Sequence, residues 1–140
     1  MLVTIEKVLV LKQIALFKNV SNMALSDLIS LSEEMSVKKG IALIEKDRQN
    51  KSVFFVLSGT LKCQYQGNPS VMNLSAPQVV GLESAFFVGM PEEDITTITS
   101  ANILKISSEK LYRMMALHPS LAKAVLHELS EQIHQNRKRY

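Results

Sequence analysis

The sequence predicts a mainly β domain, a barrel or a sandwich, flanked by helices. Three observations predict it. Over roughly residues 37 to 106, short apolar or alternating segments follow one another between Gly, Pro, Asn and Ser turns, the pattern of many short strands. On either side, apolar residues recur at helical spacing instead. The length of 140 residues, 46% apolar and 21% charged, lets a chain bury well over half of the surface it exposes when unfolded, so one domain needs no staples. That balance excludes a disordered chain, and 5 Gly with 4 Pro exclude collagen-like or low-complexity sequence.

The elements follow in order. Ile5, Val8, Leu9 and Leu11 have roughly helical spacing, ending near Ile14, and Leu16-Phe17 is a short apolar plug. Ser21 or Asn22 caps a second helix whose stripe is Leu25, Leu28 and Ile29. It is expected to finish at Glu33-Glu34, acids at the wrong end for the helix dipole. Val37 and Ile41-Ala42-Leu43-Ile44 read as a strand pair around Gly40. Lys46 to Lys51 is a polar loop in which Asn50 suits a left-handed conformation. Val53 to Leu57 is a buried strand, β-branched and aromatic, turned by Ser58-Gly59. Leu61, Cys63 and Tyr65 alternate with Lys62, Gln64 and Gln66 as a half-buried strand, turned by Gly67-Asn68-Pro69. Val71–Leu74, Val79-Val80, Ile95–Thr99 and Ile103–Ile106 complete the strands. Ser107-Ser108-Glu109 opens a helix with the stripe Leu111, Met114-Met115 and Leu117. Pro119 breaks it and starts another, whose one-sided stripe is Leu121, Ala122, Val125, Leu126, Leu129 and Ile133.

The net charge of +3 is mild, and the one dense basic run, Arg137-Lys138-Arg139, reads as a solvated tail rather than a nucleic-acid footprint. Cys63 is the only cysteine, so a disulfide within the chain or a multi-cysteine zinc or iron–sulfur site is impossible. A small buried thiol in a reduced, cytoplasmic setting is expected. The start lacks a cationic opening and an uninterrupted apolar region, so it is no signal peptide. The uncharged stretch Cys63–Leu82 carries too many amides and prolines to span a membrane.

Four pieces carry a resemblance: Leu16-Phe17-Lys18-Asn19-Val20-Ser21, Phe54 to Leu61 with its Ser58-Gly59 turn, Val80 to Phe87 through Gly89-Met90-Pro91, and Leu111 to Leu129 with His118-Pro119. In this order and spacing they resemble the cyclic-nucleotide-binding domain superfamily, the sensor module of bacterial regulators, kinase regulatory subunits and gated channels. The resemblance covers roughly residues 10 to 135. It implies a jelly-roll (double-stranded β-helix) barrel with N-terminal helices and a long C-terminal helix, a single domain over 1–140. Within it, 1–34 is the helical lead-in, 35–107 the barrel with a phosphate-binding cassette at 80–94, and 108–140 the closing helices. The opening Thr4 to Leu9 is similar to the lead helix of modules fused to larger proteins, which suggests a piece of a longer chain.

In the resembled cassette a glycine precedes a short helix whose amides meet the cyclic phosphate, as helix N-termini meet anions. A Glu accepts from the ribose hydroxyl, and an Arg pairs with the phosphate. Here Gly81 keeps the glycine, and Ser84 and Ala85 would supply amides. Glu83 is the ribose acid if Leu82 is a one-residue insertion; without that gap Leu82 occupies the place and accepts nothing. Where the family has Arg after the proline, this chain has Glu92-Glu93-Asp94, and no cation lies between Glu83 and Lys105. Losing a buried charged partner costs roughly 2–5 kcal/mol. A carboxylate near 4 Å from a phosphate adds about 1–4 kcal/mol at effective dielectrics of roughly 80 to 20. Binding should weaken at least about a hundredfold, unless a cation of the Lys46–Lys51 loop or Lys105 reaches in. The expected function is a non-catalytic regulatory or sensor module with impaired or altered ligand binding. The alternative is a working cAMP or cGMP sensor using Glu83 and the cassette amides. No cofactor is fixed by the residues themselves; the resemblance implies cAMP or cGMP as ligand.

Other classes fare worse. A cupin-type enzyme or a haem sensor needs strand histidines, but His118, His127 and His134 all fall on the terminal helices. Ser84 in Gly81-Leu82-Glu83-Ser84-Ala85 lacks the hydrolase elbow's glycine spacing. No helix-turn-helix follows the long helix within these residues, so no DNA-binding domain is expected. The resemblance implies a homodimer through the last helix, with Ala122, Val125, Leu129 and Ile133 as the seam, and a larger effector protein or domain as partner. Packing of that stripe on its own chain remains open beside it.

Overall fold

The computed structural model describes residues 3–86 and 90–139, with side chains as far as residue 135. The chain divides into two compact units, a β unit over Ser32–Ser108 and a helical unit of Met1–Leu31 with Glu109–Tyr140.

The β unit holds eight strands: β1 Glu33–Val37, β2 Ala42–Ile44, β3 Ser52–Ser58, β4 Thr60–Tyr65, β5 Val71–Ser75, β6 Gln78–Val80, β7 Glu93–Thr97 and β8 Ala101–Ser107, with helix α3 at Leu82–Phe86 between β6 and β7. They form two antiparallel four-stranded sheets, β1-β8-β3-β6 and β2-β7-β4-β5. That interleaved order is the jelly roll, here as two facing sheets rather than a closed barrel. Phe54 and Val56 of β3, Leu61 and Cys63 of β4, Ile95 of β7 and Ile103 of β8 form the core between them. β4 is a clean alternation, with Leu61 and Cys63 buried and Lys62 exposed. β3 has neighbours on both edges, and Val53 through Leu57 are all buried, as its unbroken apolar run requires.

Several expectations change. Glu33 and Glu34 do not finish a helix: they open β1, opposite Lys105 and Leu104 of β8. The ladder partner overrides a weak local preference. Val37 and Ile41–Ile44 are no hairpin, because β1 joins β8 and β2 joins β7 in the other sheet. The crossing is pinned by Thr97, 1% exposed, whose hydroxyl donates to Lys38 O at 2.7 Å and accepts from the Ile41 amide at 2.8 Å. Asn50 is not left-handed, since among the described residues only glycines have positive φ. The last strand before β8 begins at Glu93 and not at Ile95.

The helical unit contains α1 Thr4–Leu11, a 3₁₀ turn Ala15–Phe17, α2 Asn22–Leu31, α4 (begun at Ser108, to Leu117) and α5 Pro119–Arg139. Ser21 caps α2, its hydroxyl accepting from the Ala24 amide at 3.1 Å. Ala24, Leu25, Leu28 and Ile29 are buried, as the stripe predicts. On α1 only part of the stripe holds: Leu11 is buried as predicted, but Lys7 is buried too, while Ile5 and Leu9 are 74% and 62% exposed. On α4 Leu111 and Met114 are buried, but Leu117 faces outward. At the α4–α5 break, Pro119 opens the new helix as expected, and the His118 ring meets the Asp27 carboxylate of α2 at 2.9 Å.

Candidate functional site

The predicted cassette follows β6, and a backbone constraint sets it. Gly81 has φ +84°, and a Cβ there would stand 2.9 Å from Ser52 O and 3.0 Å from both the Asn50 amide nitrogen and Ile44 Cδ1. Only glycine fits both the conformation and the space. α3 starts at the next residue and packs on β3. Leu82 is 2% exposed, an apolar anchor. Glu83 stands in the first helical turn, half-buried. Of the two amides expected to face a phosphate, that of Ala85 donates instead to Gly81 O at 3.0 Å, closing the helical turn. The Ser84 hydroxyl is also engaged, accepting from Asn50 Nδ2 at 2.9 Å and reaching Gly81 O at 3.5 Å. The cassette residues Phe87, Val88 and Gly89 lie outside the described residues.

Asn50, expected only as a left-handed loop residue, is part of the site. Its carboxamide accepts from the Ser52 amide at 3.1 Å and donates to Ser52 O at 2.8 Å and to Ser84 Oγ. One side chain thereby ties the entry of β3 to the cassette turn. An Asn two residues before a strand signals an Asx turn, but nothing local announces a partner 34 positions away.

The three acids do not form one cluster. Glu93 pairs in register with Tyr65, and Asp94 with Gln64. Strand alternation places Glu93 on the face of Ile95 and Thr97, which are 3% and 1% exposed, toward the space between the sheets. Asp94 falls on the opposite face, where Oδ1 accepts from the Lys46 amide at 3.0 Å. Glu92 precedes the strand, and its carbonyl accepts from the Gln66 amide at 2.7 Å. Among the cations considered as substitutes, Arg48 pairs with Glu45 at 3.3 Å, and Lys105 sits mid-β8 opposite Glu33 and Phe54.

The predicted seam residues of α5 have unequal places. Val125 is 1% exposed and serves the chain's own packing, Ala122 and Leu129 are half-buried, and Ile133 is 37% exposed; Leu126, outside the predicted seam, is 62% exposed. The side chains of the basic run 137–139 lie outside the described residues. Among the described residues no group of three or more His, Cys, Asp or Glu could hold a metal ion. No described helix is long and apolar enough to cross a membrane.

No family model matches the chain, and no curated protein matches it in sequence. Solved structures do match, and they share the fold. The sensor domain of the transcriptional regulator DNR from Pseudomonas aeruginosa superposes with TM-score 0.77 at 17% identity, over 98% of this chain and 95% of that one. A cyclic nucleotide-binding domain from Methylobacillus flagellatus gives 0.74 at 19% identity, over 97% and 79%. The Thermus thermophilus catabolite activator protein gives 0.79 at 13% identity over 89% of this chain, which spans only 60% of that one. The chain therefore has the fold of cyclic-nucleotide-binding domains and of the sensor domains of transcriptional regulators.

Proposed function

We propose that the chain is a non-catalytic regulatory or sensor module of this fold whose cyclic-nucleotide site is impaired or altered. The observation that carries it is Glu92-Glu93-Asp94 where the resembled cassette has its arginine. Glu93 faces the space between the sheets, so a carboxylate stands on the side where a phosphate would need a guanidinium. The commitment of the Ala85 amide to Gly81 O removes one expected donor as well. Calorimetry with millimolar cAMP and cGMP tests it: the expected outcome is no saturable binding in the micromolar range, and micromolar affinity for either nucleotide overturns it.

A second function, a working sensor, is favoured by the retained Gly81 turn, the short helix after it and Glu83 in its first turn. In that case Glu83 holds the ribose hydroxyl, and Glu83→Ala weakens binding by about tenfold or more; an unchanged affinity rejects it. The output passes to a larger effector protein or domain, in a reducing cytoplasm where Cys63 stays a thiol. Self-association through α5 uses Leu129 and Ile133 of the expected seam together with the exposed Leu126, without the buried Val125.

A further inference from the structure

The end of β4 and its turn into β5 border a cavity of about 290 Å³, lined chiefly by Lys46, Gln64, Tyr65, Gln66, Asn68 and Asp94. We infer that it is a binding site for a small, neutral, hydroxyl-rich ligand of the monosaccharide class.

The walls are fixed from three directions. The Lys46 amide donates to Asp94 Oδ1 at 3.0 Å, the Gln66 amide to Glu92 O at 2.7 Å and the Asn68 amide to Tyr65 O at 3.2 Å. Gly67, at φ +77°, gives the turn a conformation that other residues rarely adopt. Asn68 Oδ1 holds the Ser70 amide at 2.9 Å, closing the turn again on the far side. Backbone bonds, the Asp94 carboxylate and the Asx contact thus set the shape, while the ends of Gln64, Gln66 and Lys46 are left for something else. The Gln64 and Gln66 carboxamides and the Lys46 ammonium have no hydrogen bond or ion pair to another described residue.

The ligand class follows from what these ends can do. A carboxamide presents donor and acceptor side by side, which matches a pair of neighbouring hydroxyls, each itself donor and acceptor. Gln64 and Gln66 supply two such groups at the cavity, and Asn68 Nδ2 a further donor. The one ammonium and one carboxylate in the lining, Lys46 and Asp94, leave it formally neutral, which disfavours a phosphate or other compact anion. The volume corresponds to roughly ten waters at about 30 Å³ each, room for a sugar ring with ordered solvent. It is near the lower limit of small-molecule sites, about 300 Å³, so millimolar affinity is expected.

The test is amide-resolved NMR of the isotope-labelled full chain, titrated separately with glucose, galactose, arabinose and inorganic phosphate. At least one sugar should move the Lys46, Gln64, Gln66 and Asn68 amides, together with the Gln64 and Gln66 side-chain NH₂ signals, saturably and without moving α3. The double variant Gln64→Ala, Gln66→Ala should weaken this by about tenfold or more, and its spectrum reports whether it folds; should it not, Lys46→Ala is read the same way. The inference is overturned if no sugar moves these signals up to about 100 mM, if the shifts persist undiminished in the folded variant, or if phosphate moves them at lower concentration than any sugar.

Discussion

Asn50 and Gly81 form one joint, and each explains the other. Asn50 donates to Ser84 Oγ at 2.9 Å and reaches Gly81 O at 3.4 Å, and a Cβ on Gly81 would stand 3.0 Å from the same Nδ2. Gly81→Ala adds that Cβ at φ +84° against backbone on one side, so it should cost about 1–3 kcal/mol or more. Asn50→Ala strips Ser52 and Ser84 of part-buried partners and should cost about 1–3 kcal/mol. Urea midpoints measure both. Because the two share a contact, the double variant should lose less than the sum of the singles. Gly59 is constrained more tightly still, with a Cβ position 2.5 Å from Ser100 O and φ +104°. Gly81 was legible as the glycine of the resembled cassette. The role of Asn50 was not, because a hydrogen bond to a residue remote in sequence leaves no local periodicity behind.

Among the elements, strands and helices were legible in kind and less so in facing. The β3 run and the β4 alternation appear in the structure as read, because one face or both must meet an apolar neighbour. The α1 face was misread: Ile5 and Leu9 lie outward and Lys7 inward, a choice that the eight-residue stripe could not settle alone. On α5, Val125→Ala should cost about 1–3 kcal/mol of stability, since its buried methyls leave a small cavity. Leu126→Asp should leave the thermal midpoint nearly unchanged, because Leu126 is 62% exposed. If α5 pairs two chains, Leu126→Asp also abolishes that association in sedimentation velocity, and Val125→Ala does not. An association that resists Leu126→Asp excludes this face of α5.

At the scale of the whole molecule, β3 and β8 pair with each other and each carries a further neighbour, β6 and β1 respectively. Their amides should therefore be the slowest to exchange with solvent, and those of the edge strands β2 and β5 faster; equal protection across the eight strands would contradict it. A ligand that binds the native state raises the melting midpoint in proportion to its occupancy. Millimolar cAMP or cGMP should therefore leave the midpoint unmoved if the acids have disabled the cassette.

The sequence by itself determined the mainly β class, the strand count and the helical ends, because burying one face writes a period of two or of 3.6 into the order of residues. It also determined that a cassette resembling that of the cyclic-nucleotide-binding domains would have acids where an arginine is expected. Only the tertiary structure decided which sheet each strand joins, that Glu33-Glu34 pair with β8, that Glu93 and Asp94 part to opposite faces, and that Asn50 holds the cassette turn. Those outcomes depend on partners far apart along the chain. Ladder pairing and long-range hydrogen bonds are settled by the packed whole, which local residue order does not encode.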